Sequence, residues 1–225
     1  MTSSAKFLRD KGWDDLSGRW GEAALLTFVY TIIYALFSGT VTKGTDLVAP
    51  GLGTALSLLL LPMGWGFSVS FLDNHRKTTD DPFHIGCLFD GYRDFSRVFL
   101  TLLLLVVYII LWSLLLIVPG IIKALSYSMT PYILKDYPTL KYNGAIELSM
   151  DMMNGHKWDL FWLYLSFIGW GLLCLLTLGI GYFWLSPYVQ SSVANFYVEV
   201  KKEYEGAATF NYSVKEESTY SKEER

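Results

Sequence analysis

The stretch VFLTLLLLVVYIILWSLLLIV, residues 98–118, contains no charged side chain and is followed at once by Pro119 and Gly120. At about 1.5 Å per residue, a helix of this length crosses the roughly 30 Å hydrocarbon core of a lipid bilayer. A single run of this kind could also be a helix buried in the core of a water-soluble protein. The rest of the chain decides between these two interpretations.

Five further runs are strongly apolar, and together with the first they predict six membrane crossings. A chain of 225 residues cannot bury so many helices that are apolar on every face. The sequence therefore predicts an all-α polytopic membrane protein, with six transmembrane helices arranged as three hairpins. The fourth run is short for a full crossing, so a re-entrant or tilted segment is the alternative there. The predicted crossings are residues 20–38, 52–72, 98–118, 120–134, 158–177 and 180–199.

Basic residues indicate the orientation, because lysine and arginine near short loops are retained on the cytoplasmic side. They precede the first run, lie between the second and third and between the fourth and fifth, and follow the sixth. All of these segments lie on one side if the amino terminus is cytoplasmic. The other side then has only Lys43, and Lys123 lies one helical turn from the predicted hinge at Pro119 and Gly120. We therefore expect a multi-pass protein of the bacterial cytoplasmic membrane with both termini in the cytoplasm.

Three amphipathic segments each end in a basic residue that is followed directly by an apolar run. The junctions are Arg19 with Trp20, Arg97 with Val98, and Lys157 with Trp158. In the second segment the predicted apolar face of the helix consists of Ile85, Leu88, Phe89, Tyr92, Phe95 and Phe99. We expect these segments to form amphipathic helices on the cytoplasmic face of the membrane.

The spacing of these junctions predicts a repeated unit of one amphipathic helix and one apolar hairpin. Coincidence between leucine-rich segments is the alternative. A single integral membrane domain would then cover residues 1–200, and the polar residues 201–225 would form a disordered cytoplasmic tail. The predicted repeats are residues 5–72, 83–134 and 139–199, with hairpin turns at residues 62–64, 119–120 and 178–179.

Four motifs make the chain resemble a known family. They are P-G-I-I-K at residues 119–123, S-Y-S-M-T-P-Y at 126–132, G-H-K-W-D-L at 155–160 and L-T-L-G-I-G at 176–181. On these motifs the chain resembles a bacterial integral-membrane family known only as domain of unknown function 975, and the resemblance extends over nearly the whole chain. It implies a six-helix protein of the cytoplasmic membrane. The family brings no known activity, so no catalytic residue follows from the resemblance.

Lys123 is the first candidate for a functional role. An ammonium group at the centre of a bilayer costs about 2.5 to 3.5 kcal/mol and persists there only with a partner or a purpose. Because Lys123 lies close to the predicted hinge at Pro119 and Gly120, its flexible side chain could reach the outer lipid headgroups. The functional alternative places it in a hydrated vestibule, in contact with an anionic substrate or a lipid phosphate.

Two prolines within predicted crossings are the second candidate. Pro131 and Pro187 each remove one helical hydrogen bond. Broken helices at corresponding positions of two repeats form mid-membrane sites in several transporters, and Gln190 with neighbouring serine and threonine residues supplies polar groups. The alternative is structural, because prolines are common in membrane helices and hydroxyl side chains can satisfy the loosened backbone.

The sequence contains no motif for catalysis, metal binding or phosphate binding, and no basic block for nucleic acid. We therefore expect no enzyme activity, no cofactor and no nucleic-acid partner. The expected partners are membrane lipids, with a second copy of the chain or other membrane proteins as further candidates. The leading hypothesis is a non-enzymatic membrane scaffold or envelope-associated protein. The alternative is a small-solute or ion transporter or channel that uses the proline-interrupted helices.

Overall fold

The computed structural model describes residues 4–44, 58–77, 81–140 and 142–223, with the backbone alone at 38–44 and 208–223. Within these ranges the chain forms ten α-helices, one 3₁₀ helix and no strand, so the predicted all-α class is confirmed for them. The elements are α1 Ala5–Asp15, α2 Trp20–Gly44, α3 Leu61–Arg76, the 3₁₀ helix Ile85–Tyr92, α4 Phe95–Leu115, α5 Ile117–Tyr127, α6 Thr130–Asp136, α7 Asn143–Met152, α8 Lys157–Leu165, α9 Ile168–Leu176 and α10 Tyr182–Glu223.

Within the described ranges, three helical segments are long and apolar enough to cross a membrane. They are Trp20–Phe37, Phe95–Leu115 and Lys157–Leu176, and they coincide with the first, third and fifth predicted crossings. The other three crossings stay predictions. The second falls partly on residues 52–57, outside the described ranges, and the fourth is divided between α5 and α6.

The chain turns between α4 and α5 at Leu116, and the predicted hinge at Pro119 and Gly120 was placed too late. Leu116 is extended, with φ −161° and ψ 143°. Pro119 is the third residue of α5, where the backbone N–H has no helical partner to lose, so the proline is tolerated. Gly120 permits close contact instead, because a Cβ there would lie 2.6 Å from the Ser113 Oγ and 2.9 Å from its Cα.

The fifth predicted crossing is interrupted between α8 and α9, at Ser166 and Phe167. The Arg9 guanidinium of α1 donates a hydrogen bond to the Ser166 carbonyl over 3.1 Å. This contact supplies a partner for a backbone group at the interruption. The sequence shows no proline or glycine at these two positions, so the break could not be read from local composition.

Helix α10 continues past residue 199, the end of the sixth predicted crossing, to Glu223. It also runs without interruption through Pro187. Charged residues that suggest a tail are compatible with a helix when they pair along it. Lys201 lies 3.7 Å from Glu205, and Lys202 lies 3.5 Å from Glu199, so opposite charges face each other at helical spacing.

The second amphipathic segment forms a different helix from the one predicted. Residues 85–92 are a 3₁₀ helix with three residues per turn, so the inward face changes to Cys87, Leu88 and Gly91. Of the predicted apolar face, Leu88 is buried, whereas Ile85, Phe89 and Phe95 are exposed. The period assumed from the sequence was therefore wrong for this segment.

Helices α3, α6 and α10, here called the returning helices, each pack against an amphipathic segment: α3 and α6 against the one that follows them in the chain, and α10 against the first one. Helix α3 contacts the 3₁₀ helix, α6 contacts α7, and α10 contacts α1. The last contact joins the two ends of the sequence and closes the arrangement into a ring. Glycine shortens two of these crossings, since a Cβ at Gly66 would lie 2.3 Å from the Cys87 carbonyl oxygen and one at Gly12 would lie 2.5 Å from the Ser192 Oγ.

The surface has two very different regions. The turns at Leu116 and at Leu178 with Gly179 present apolar side chains outward; Leu114 is 83% exposed and Leu178 is 94% exposed. Charged side chains gather instead where the returning helices α3 and α6 end and where α10 passes them. We call this second region the charged end of the molecule.

Candidate functional site

A buried carboxylate at the charged end joins the three returning helices. Asp136, the last residue of α6, accepts hydrogen bonds from both terminal nitrogens of Arg76 on α3, at 2.5 and 2.8 Å. From α10 it accepts hydrogen bonds from the Tyr197 hydroxyl at 2.7 Å and the Lys201 ammonium at 2.6 Å. The Asp136 side chain is only 5% exposed. We call these four residues the Asp136 cluster.

The cluster holds Asp136 in its ionised form. Burial raises the pKa of the carboxyl, but the hydrogen bonds from Arg76, Lys201 and Tyr197 outweigh burial and lower the pKa to about 2. The bidentate guanidinium geometry is the strongest arrangement available to a carboxylate. Two cations face one carboxylate, so removal of the negative charge would leave like charges close together.

The lowered pKa predicts how stability depends on pH. Because the folded-state pKa of Asp136 is about 2 and the ordinary value is 3.8, the stabilisation is complete above about pH 4 and is lost as the pH falls toward 2. The shift corresponds to about 2 kcal/mol. Thermal unfolding in detergent at pH 7 and pH 3 tests this: the difference in melting temperature between the native chain and Asp136→Asn should shrink at pH 3. An unchanged difference would contradict it.

A second carboxylate links α1 to the same two helices. The Asp15 Oδ2 lies 2.7 Å from the His75 Nδ1 of α3 and accepts a hydrogen bond from the Asn195 amide of α10 over 2.6 Å. The Asn74 amide donates to the Asp15 backbone carbonyl over 2.8 Å. Burial raises the Asp15 pKa, but the hydrogen bonds from His75 and Asn195 outweigh it, so the pKa is lowered. The first and last segments of the chain are thereby fastened to α3.

Neither Asp136 nor Asp15 was predicted as a site residue, although the sequence contains a usable signal for the Asp136 cluster. Arg76, Asp136 and Lys201 each lie two to four residues beyond the end of a predicted crossing that returns to the same side. Charges of both signs at three equivalent depths can meet if the helices converge. The basic residues indicate the orientation, but the acidic residue that they face follows from the convergence of the helices.

Lys123 does not extend freely toward the turn at Leu116. Its ammonium lies 4.9 Å from the centre of the Trp112 ring on α4 and 5.9 Å from the centre of the Tyr127 ring. It also lies 3.9 Å from the Met150 Sδ on α7. Cation–π contacts of this kind stabilise an ammonium group by about 0.5 to 2 kcal/mol. Lys123 therefore lies in an aromatic and thioether cage between α4, α5 and α7.

Pro131 lies in the first turn of α6, after an interruption at Ser128 and Met129. The Trp65 indole of α3 donates a hydrogen bond to the Pro131 carbonyl over 2.8 Å, so a neighbouring helix engages the backbone here. Thr130 beside it is fully buried, and its hydroxyl has no hydrogen-bond partner among the described residues. The break at Pro131 is filled by packed side chains.

Removal of the Trp65 indole N–H has a predictable consequence. The variant Trp65→Phe keeps an aromatic ring but leaves the Pro131 carbonyl without this donor. We expect the free energy of unfolding to fall by about 1 kcal/mol, measured by thermal denaturation in detergent. Trp184→Phe is the matched control, since Trp184 is 52% exposed and its replacement should leave the stability nearly unchanged. Equal losses of stability in Trp65→Phe and Trp184→Phe would contradict a stabilising hydrogen bond from Trp65 to the Pro131 carbonyl.

Pro187 and Gln190 lie on α10, close to the crossing with α1. Pro187 is buried and Gln190 is half-buried. The neighbouring Ser191, Ser192 and Asn195 are fully buried. The Ser192 hydroxyl donates to the Tyr188 carbonyl over 2.9 Å, and Asn195 binds Asp15 as described above. Several of these polar groups therefore serve helix contacts.

An apolar groove of about 430 Å³ lies between α9, α10 and the corner where α1 meets α2. Its walls include Trp13, Trp20, Trp170, Trp184 and Tyr188. The rings of Trp13 and Trp20 are 4.7 Å apart, and Trp13 lies 5.6 Å from Tyr188. We call this feature the tryptophan groove. None of the six candidates from the sequence, which are Lys123, Pro119, Gly120, Pro131, Pro187 and Gln190, lines the groove or belongs to the Asp136 cluster.

These features define a class of protein: over the described residues it is all-helical, with three helical segments apolar enough to span a membrane and a charged end at which the returning helices are joined. Residues 113–204 match the model of a family described as "Protein of unknown function (DUF975)". The resemblance drawn from the motifs is confirmed over these residues, which is less of the chain than the motifs suggested. No curated protein and no solved structure matches the chain.

Proposed function

We propose that this chain is a non-enzymatic integral protein of the bacterial cytoplasmic membrane, with six crossings and both termini in the cytoplasm. In this proposal it acts as a membrane-embedded scaffold or envelope-associated protein through contacts with lipids and with other proteins or a second copy of itself. The exposed apolar side chains around Leu114 and Leu178 support lipid surroundings. The charged end fits the side on which lysine and arginine are retained.

One observation carries the scaffold proposal. The Asp136 cluster binds α3, α6 and α10 to one another through a single buried carboxylate. A transporter that exposes its site alternately to the two sides must move such segments relative to each other. Breaking a buried ion pair costs about 3 to 5 kcal/mol, so the cluster opposes that movement. A rigid body with a lipid-facing exterior agrees better with a structural role.

The ring of contacts gives further support to three hairpin repeats. Each returning helix contacts the amphipathic segment of the next predicted repeat, and α10 returns to α1 of the first. Two of these contacts join consecutive elements of the chain, and the contact of α10 with α1 closes the cyclic order. The arrangement supports an approximately threefold bundle in which each hairpin depends on its neighbour.

A flux measurement tests the scaffold proposal. The full chain is reconstituted into phosphatidylcholine and phosphatidylglycerol liposomes loaded with ions and small solutes, and release is compared with empty liposomes. We expect no protein-dependent release of any solute. Thiol or protease accessibility of the two termini in inverted vesicles tests the orientation, and termini on opposite sides would contradict it. Reproducible solute release would overturn the scaffold proposal.

The second candidate function is a transporter or channel, and buried polar groups favour it. The Thr130 Oγ1, Ser191 Oγ and Asn195 Oδ1 are buried and lack a hydrogen-bond partner among the described residues. Unpaired polar atoms of this kind are often completed by water. If release is observed, Lys123→Met should abolish it while insertion stays normal. Unchanged release in that variant would exclude a role for Lys123.

A further inference from the structure

We infer that the tryptophan groove binds one acyl chain of a phospholipid, whose phosphate group contacts Arg9. This inference rests on the membrane location proposed above and goes beyond it by assigning a particular site. Two of the three segments able to span a membrane form walls of the groove: Trp20 belongs to one, and Trp170, Leu173 and Cys174 belong to the other.

The position and lining of the groove select hydrocarbon as its occupant. The walls are almost entirely apolar, and aromatic side chains are common in sites that bind apolar ligands. Between membrane-spanning segments the competing medium is lipid. A space of about 430 Å³ holds roughly 14 water-sized groups at about 30 Å³ each, which is enough for one acyl chain and not for a whole lipid.

The tryptophan groove lies beside the break between α8 and α9. Helix α9 is packed on α10 but is separated from α8 at Ser166 and Phe167, so the two halves of this segment need not follow one axis. Phe167, at the break, is buried and packs against Tyr188 of the groove wall, with ring centres 5.0 Å apart. The interruption that the sequence did not predict is thus next to the groove.

Arg9 supplies a charge that matches a phosphate group. Its guanidinium lies at the same break, donating to the Ser166 carbonyl over 3.1 Å, and interacts electrostatically with the Tyr188 hydroxyl on the groove wall. Its Nε is buried and has no hydrogen-bond partner among the described residues. Those residues also place no carboxylate within ion-pair distance of Arg9. Arginine binds phosphate oxygens with two parallel hydrogen bonds, so a phosphate group would give the Arg9 Nε a hydrogen-bond acceptor.

Photochemical cross-linking tests the site. The full chain is placed in phosphatidylcholine and phosphatidylglycerol vesicles that contain a phospholipid with a diazirine at the end of one acyl chain, and adducts are mapped by peptide mass spectrometry. We expect adducts concentrated at residues 170–188. Leu173→Trp places a large ring in the groove and should lower this yield about tenfold. Leu176→Trp is the matched control: Leu176 is on the same helix, 81% exposed and outside the groove, so the yield should not change.

Arg9 is tested in the same assay. Arg9→Gln removes the charge and should lower the adduct yield at residues 170–188 about tenfold, the effect of losing a charge-assisted hydrogen bond. Arg9→Lys keeps a positive charge and a donor, and should retain most of the yield. Loss in Arg9→Gln with recovery in Arg9→Lys would support a phosphate contact. Equal yields in the native chain and Arg9→Gln would overturn it.

Three results would overturn the acyl-chain site, and they differ in what they say about the membrane location. Adducts spread evenly over residues 111–118 and 172–180, unaffected by Leu173→Trp, would exclude the groove and leave the membrane location intact. Absence of adducts on every apolar segment would contradict both. A cross-linker on Cys174 that joins it to residues 45–57 or to a second copy would show a protein occupant. Labelling is selective because Cys87 is buried, which raises its thiol pKa to about 12.

Discussion

Replacement of Asp136 by asparagine is expected to lower the free energy of unfolding by about 3 to 4 kcal/mol. The carboxylate is 5% exposed and is the shared acceptor for Arg76, Tyr197 and Lys201. In Asp136→Asn two cations would remain close together without the negative charge between them. Thermal unfolding of the purified chain in a mild detergent at pH 7, followed by circular dichroism, measures the change.

Asp90→Asn is the control for this experiment, because it makes the same chemical change in an exposed ion pair. Asp90 faces Arg93 at 3.4 Å, and the Arg93 side chain is 86% exposed. Exposed pairs of this kind contribute about 0 to 1 kcal/mol, so the control should unfold close to the native temperature. If Asp136→Asn and Asp90→Asn unfold at the same temperature, the cluster does not hold the returning helices together.

Gly66→Ala is expected to destabilise the fold by about 3 kcal/mol, although alanine is the better helix former. A Cβ at Gly66 would lie 2.3 Å from the Cys87 carbonyl oxygen and 3.0 Å from that of Leu88. Both are backbone atoms of the 3₁₀ helix and cannot rotate away. Helix α3 would have to separate from the 3₁₀ helix, its main partner. Unfolding temperature and the yield of folded monomer in detergent measure the effect.

The same helix offers a matched control in Gly64. A Cβ there would meet only the Tyr30 hydroxyl, at 3.5 Å, which is an ordinary van der Waals distance. Gly64→Ala should therefore be neutral or stabilising by up to about 1 kcal/mol, as expected for glycine in a helix interior. Destabilisation by Gly64→Ala as large as that by Gly66→Ala would mean that close helix contact is not the cause.

The apolar segments were predictable because a helix that can span a membrane is a property of consecutive residues. The composition of residues 98–118 alone predicts such a helix, and the structure has α4 at Phe95–Leu115. Segments 20–38 and 158–177 agree in the same way with Trp20–Phe37 and Lys157–Leu176. The helix ends were less predictable. The turn at Leu116 comes before Pro119 because proline is tolerated in a first helical turn.

The candidate sites were not predictable in the same way, since each depends on residues that are distant in sequence. Lys123 was singled out for its charge within an apolar segment, but its contact with Met150 of α7 needed the tertiary structure. Pro131 was singled out as a helix breaker, and the donor that meets it is Trp65 of α3. Arg9 was not singled out at all, because its position at the break near Ser166 is a consequence of helix packing.

Composition and the order of apolar and charged residues thus determined on their own that the chain is helical and that some of its helices are suited to lipid. These are local properties, set by side-chain transfer energies and by backbone hydrogen bonds within one segment. Only the tertiary structure decided that Asp136 meets Arg76, Tyr197 and Lys201, and that a groove opens between α9 and α10. The cluster requires α3, α6 and α10 to converge at one end, and the groove requires α9 and α10 to meet the corner of α1 and α2; ion pairs and close packing between distant residues decide where these helices meet.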